Sequence, residues 1–197
     1  MARRRIRTKY EFKPDSEKVP LAKKLHMTRL QKLLLLKWSL YSLLCLFLLI
    51  IQDVIMCRVS IYGATTDLIP CAILLITVLS DAHAGSMFAL FASMFYVFSG
   101  SAPGPYALAY LTVLGVAAAL VRQMYWHRGF SSNMLCAGAA LMIYELAVYA
   151  TGIFMGLTYW GRIGVFALTG GISLVVMLAL YPLVRVIGKI GGETWTE

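Results

Sequence analysis

LIPCAILLITVLSDAHAGSMFALFASMFYVF, residues Leu68 to Phe98, decides how the chain is organised. A membrane-spanning helix needs about 20 mainly apolar residues, because the hydrocarbon is roughly 30 Å thick and each residue rises about 1.5 Å. Leu68 to Ser80 falls short of that, and the charges of Asp67 and Asp81 stop it from growing in either direction. Alone it would read as a tilted or re-entrant piece. With 83–98 behind it, the stretch is either one crossing or two, and the rest of the chain has to choose.

Other apolar segments cover 38–56, 105–121, 133–154 and 163–184. If Leu68 to Phe98 crosses twice and the N-terminus is inside, the inner side holds sixteen cations: twelve in residues 1–37, then Arg122, Arg128, Arg185 and Lys189. Only Arg58 and Arg162 face out. A single crossing would exchange the later loops and leave thirteen inside against five outside. Cytoplasmic loops carry the excess of Lys and Arg, so the charge predicts six spans with both termini cytoplasmic. Interfacial aromatics agree, with Trp38, Tyr125, Trp126 and Tyr181 at inner ends and Tyr62, Tyr149, Tyr159 and Trp160 at outer ends.

Composition points the same way. Of 197 residues, 60% are hydrophobic and 14% charged, against roughly 45–50% and 25% in soluble domains, which excludes a soluble globular enzyme. The net charge of +9 resides in the tail, where twelve cations meet only Glu11, Asp15 and Glu17. The expected organisation is a basic cytoplasmic tail over 1–37, a six-helix transmembrane bundle over 38–189 and a short cytoplasmic tail over 190–197. Residues 1–20, polar and carrying Pro14 and Pro20, have too little apolar surface to order; Leu21 to Lys37 reads as a helix running into the first span. Each tail cation near an anionic leaflet contributes about 1 kcal/mol, so the partner of the tail is anionic lipid, not nucleic acid.

No loop between spans exceeds about a dozen residues, so chemistry would have to occur within the bundle. Catalysis there needs a Ser–His pair or facing carboxylates, and His26, His83 and His127 all map to the cytoplasmic edge. No His or carboxylate pair shows the helical spacing of metal ligands, so no catalytic, cofactor or metal residue is assigned. Cys45, Cys57, Cys71 and Cys136 stand apart in apolar surroundings and read as small hydrophobes, not as a disulfide framework. Met56 before Cys57 is unlike a lipoprotein cleavage site, so the first apolar segment is expected to stay.

Polar residues gather in the outer half instead: Asp53 closing the first span, Arg58 and Asp67 flanking the first outer loop, Glu145 within the fifth span and Arg162 opening the sixth. A carboxylate at the depth of Glu145 is expensive unless paired, protonated or hydrated. The readings are an ion pair with Arg58 or Arg162, or a docking point for a partner helix or ligand. Small residues form a second pattern, since Gly85, Ala89 and Ser93 recur every fourth residue, and Gly115–Ala119 and Ala167–Gly171 repeat the spacing. Such faces let helices approach closely, and internal packing is their default use. Ser99 to Pro105, SGSAPGP, is a tight outer turn that restarts a helix at Tyr106.

TTDLIP (Thr65 to Pro70), the apolar run to Asp81, the ladder from Gly85, then Ser99–Gly100 and GPYALAYL (Gly104 to Leu111) together resemble the rod shape-determining MreD family. The resemblance covers about Leu43 to Arg122. Where that family often has further glycines and an Asp on the third helix, this chain has Ala89, Ala92 and Tyr96. The resemblance implies a non-enzymatic scaffold of the bacterial elongation complex in the cytoplasmic membrane. Its implied partners are an MreC-like bitopic protein and, near the MreB filament, the RodA and penicillin-binding-protein synthase pair. The implied six-span fold is similar to that of substrate-binding subunits of energy-coupling-factor vitamin transporters, which supply the alternative function. Those subunits commonly dock through small residues on the first helix, whereas WSLYSLLCLFLLIIQD (Trp38 to Asp53) is mostly large.

Overall fold

The computed structural model describes residues 29–55, 64–125 and 129–190. Among them lie α1 (Arg29–Val54), α2 (Leu68–Leu79), α3 (Ala82–Phe98), α4 (Tyr106–Tyr125), α5 (Phe130–Phe154) and α6 (Ile163–Gly188), with a 3-10 turn at Trp160–Arg162. Four helices (α1, α4, α5 and α6) are long and apolar enough to cross a membrane; α2 and α3 are shorter apolar helices. The tail over 1–28, Arg58, His127 and Arg128 lie outside the described residues.

The doubtful segment is the centre of the molecule. Every residue of α2 from Leu68 to Val78 is buried, and all five other helices pack on it. LIPCAILLITVL is apolar on every side, as a helix enclosed by protein must be. Twelve residues span only about 18 Å, and the N-terminal end of α2 meets protein groups. Pro70 occupies the first turn, where a missing N–H costs nothing. Two other donors at that end are met from neighbours, Asp67 N–H by Ser173 Oγ of α6 (3.3 Å) and Ile69 N–H by Gln52 Oε1 of α1 (3.1 Å).

Ser80 and Asp81 turn the chain into α3, which runs back along α2. Gly85 lies against Thr77 near the turn, and Tyr96 reaches the level of Asp67 at the other end. Leu68 to Phe98 is therefore an antiparallel hairpin and not one continuous helix. The small face of α3 makes this close approach possible: Gly85 is buried, and Ala89 and Ser93 have no exposed surface. A Cβ on Gly85 would stand 2.9 Å from the Thr77 carbonyl oxygen. Gly115 and Ala119 of α4 are buried too, with Gly115 facing Thr77 and Ala89. Two of the three expected small faces are thus used in internal packing.

The third corrects that default. On α6, Ala167 and Gly171 are exposed, and a Cβ on Gly164 or Gly171 would meet nothing within 4 Å. Gly170 turns inward in their place, against Met142 and Glu145.

Helix α1 is peripheral. Only Lys37, Tyr41, Leu48 and Gln52 are buried, one stripe of a 26-residue helix. Tyr41 donates to the Val184 carbonyl (3.2 Å), and its ring clusters with Trp38 and Phe88. The helix starts by Arg29 and carries Lys37, so the described part of the juxtamembrane segment runs without a break into the first apolar segment.

Candidate functional site

The late start of α2 creates the site. Asp67, at its N-cap, meets Ser173, which lies about 15 Å along α6 from Ile163 by helix rise. Among the described residues, no helix fills the centre between that level and the end of the bundle. A cavity of about 410 Å³ results, lined by Gln52, Asp53, Thr65, Thr66, Asp67 and the Ser99–Ser101 turn.

The turn is built for its place. Gly100 takes φ +78, which only glycine adopts without strain, and this brings Ser101 round so that its hydroxyl donates to the Asp53 carboxylate. Ser99 Oγ lies 3.0 Å from Ser101 Oγ and accepts from the Ser101 N–H at 3.3 Å. Gly104 has no room for a side chain because the Tyr106 ring folds over it, with the Tyr106 hydroxyl donating to the Pro103 carbonyl (3.1 Å).

Below the cavity floor the bundle interior is polar. Cys71 Sγ donates toward the carbonyls of Asp67 (3.0 Å) and Ser173 (3.3 Å), so this cysteine closes the start of α2 instead of serving as plain apolar filler. Glu145 of α5 is 4% exposed, and the charge that acts on it is Asp67. Its Oε1 has no hydrogen-bond partner. Tyr96 and Tyr144 are fully buried with their hydroxyls side by side, Tyr96 also beside Gln52, and neither hydroxyl attains hydrogen-bond geometry.

The sequence-derived candidates separate into three places. Asp53 and Asp67 line the cavity, with Glu145 behind Asp67. Gly85, Ala89 and Ser93 lie on the α2–α3 seam, and Gly104 and Tyr106 hold the turn beside the cavity. Arg162 is not the counter-ion of Glu145: it is exposed, with its guanidinium 5.4 Å from the centre of the Tyr159 ring. Arg58, the other proposed counter-ion, falls outside the described residues. Sequence reasoning missed Gln52, Tyr96, Tyr144, Cys71 and Ser173. The available signal was a Gln–Asp pair ending an otherwise apolar helix, and hydroxyls placed midway along two others.

Comparisons with protein-family models, curated proteins and solved structures found no match for this chain.

Among the described residues, no three His, Cys, Asp or Glu gather as a metal site. What the arrangement offers is acceptors: two carboxylates and several hydroxyls around an open space, with a third carboxylate behind them. Glu145→Gln is expected to leave the fold intact and to raise the thermal midpoint, by an effect on the order of 1–2 kcal/mol, because a buried carboxyl beside Asp67 must either carry a like charge or be held neutral, whereas the amide is neutral and brings an N–H donor. Unfolding in detergent would measure this, and a collapse of the fold would instead mean that the Glu145 carboxylate is paired.

Proposed function

We propose that this chain is a non-enzymatic scaffold of the bacterial elongation complex. It crosses the cytoplasmic membrane six times with both termini inside and holds an MreC-like bitopic partner near the RodA and penicillin-binding-protein synthases. The crossing number draws support from the α2–α3 hairpin and the sixteen-to-two charge partition. With cysteine introduced in a cysteine-free background, labelling should find Gly129 cytoplasmic and Ala102 and Tyr159 external; external labelling at Gly192 would sink the topology.

The observation that carries the scaffold reading is the exposed small face of α6. Lipid provides no hydrophobic drive between helices, so association depends on close packing, and small residues permit it. The small faces of α3 and α4 are already spent inside the bundle, whereas Gly164, Ala167 and Gly171 remain open. A partner helix can approach there with nothing to displace. Gly171→Leu should therefore reduce co-purification of the MreC-like protein at least about tenfold, the equivalent of about 1.4 kcal/mol, without lowering the thermal midpoint of the isolated chain. Undiminished co-purification would move the interface elsewhere.

The cavity beside Asp67 favours a second reading, the substrate-binding subunit of an energy-coupling-factor transporter. That reading requires co-purification with a coupling subunit and its ATPases in place of the MreC-like protein.

A further inference from the structure

We propose that the groove between α1 and α3 holds one linear acyl chain of a membrane phospholipid. This goes beyond the scaffold reading and is independent of it, since the site belongs to the isolated chain and needs no partner protein.

The groove follows from the way α1 is tied to α3 at two places. Toward the start of α1, the rings of Trp38 and Tyr41 rest on Phe88 at 5.6 and 6.1 Å. At its end, the Ser101 hydroxyl donates to the Asp53 carboxylate and fastens the helix to the turn after α3. Tyr41 and Asp53 are about 18 Å apart along α1 by helix rise, and between them the two helices stand apart over a cavity of about 330 Å³. One wall is Ser42, Cys45, Leu46 and Leu49 of α1. The other is Phe88, Phe91, Ala92 and Phe95 of α3, with Ile69 of α2 at the floor. Each wall follows the i, i+3, i+4, i+7 spacing of a single helix face. Space remains because Ser42, Cys45 and Ala92 are small among large neighbours, and the exposed Leu46, Phe91 and Phe95 border the opening.

Two observations identify the occupant. The first is the width. Spread over the two turns from Ser42 to Leu49, about 10 Å by helix rise, the volume leaves roughly 6 Å across. A helix with its side chains is about 10–12 Å wide and does not enter, whereas a methylene chain, whose carbons approach their neighbours to about 4 Å, does. Water is a poor filler, because it needs two to four polar partners, and among the described residues only Ser42 and Cys45 bring a polar atom to the lining. The second is the order of polarity. About one turn beyond Leu49 and Phe95 stand Gln52 and Ser99, which line the polar cavity at the start of α2. Apolar groove followed by polar wall is the order of an amphiphile, chain first and head group after it.

The test is thermal unfolding and native mass spectrometry of the full chain in a steroid-based detergent, which has no acyl tail to compete. Dioleoyl phosphatidylcholine should raise the midpoint saturably and stay bound as one molecule per chain. Diphytanoyl phosphatidylcholine has the same head group but methyl-branched chains too wide for the groove, and it should bind at least about tenfold more weakly. Ala92→Trp fills the groove and should weaken the dioleoyl lipid at least about tenfold; Leu43→Trp, at an exposed position outside the lining, should leave it unchanged. Should Ala92→Trp fail to fold, Ser42→Phe fills the same space from an exposed position on the opposite wall. The proposal is overturned by the absence of a saturable shift with the dioleoyl lipid, by an equal response to the two lipids, or by affinity unchanged in every folded groove variant. It is overturned equally if the chain is a dimer that the groove-filling variants dissociate, which would give the groove to a second copy.

Discussion

Replacing Ile73, Leu74, Leu75 and Ile76 by alanine, one at a time, is expected to destabilise the bundle at all four positions, by about 2–4 kcal/mol each. Consecutive residues of a helix point about 100° apart, so in a helix with one lipid-facing side at least one of four would be tolerant. Here none has exposed surface, because five helices close around α2. Lipid is as apolar as leucine, so little of the loss comes from transfer; it comes from the cavity left behind and the dispersion contacts removed. The contrast is α1, where Leu43, Leu46, Phe47 and Ile50 are 65%, 52%, 59% and 58% exposed and alanine should change stability by no more than about 0.5 kcal/mol. Unfolding in mixed micelles reads both sets. A helical period in the losses along α2 would refute its central position.

Gly85→Leu is expected to abolish the folded bundle, and Gly85→Ala to cost about 1–3 kcal/mol by overpacking. The reason is what the new carbon meets: the carbonyl oxygen of Thr77 at 2.9 Å and its Cα at 3.2 Å. These are backbone atoms of the most enclosed helix and cannot swing aside as a side chain would. Gly171→Ala is the matched control, since its Cβ enters open space and alanine is the better helix former by about 1 kcal/mol. The two glycine-to-alanine changes should therefore shift the midpoint in opposite directions. Equal behaviour would mean that the α2–α3 contact is looser than described.

Much of this architecture was legible in the chain. Six apolar segments, bounded by Asp67, Asp81, the SGSAPGP turn and the cations after Val121, correspond to α1 through α6 within a few residues. At Lys37 the juxtamembrane segment runs on into the first apolar segment as one helix from Arg29, because a lysine can extend a helix as readily as end one. Hydropathy could mark Leu68 to Leu79 as short but could not say that it was central, because burial by protein and burial by lipid leave the same apolar signature. The site was legible only in part. Asp53, Asp67 and Glu145 stood out as acids in an apolar setting; Tyr96, Tyr144 and Ser173 did not, since a serine hydroxyl on a helix usually bonds back to its own backbone and a tyrosine reads as a large apolar ring. Only the three-dimensional path brings them to the start of α2.

The shortness of α2 also bears on how such a chain enters a membrane during synthesis. A segment of twelve residues emerging from the ribosome cannot reach from one face of the hydrocarbon to the other, and its first turn depends on Gln52 and Ser173 for partners. Ser173 is made about a hundred residues later. On the six-crossing reading, α2 and α3 must insert as a joined pair, and α2 stays provisionally placed until α6 arrives to close the ring around it. Helix α6, translated well after α2, thus completes the core around it, and a chain truncated before Ser173 is expected to be recognised as unfinished by the membrane's own proteases.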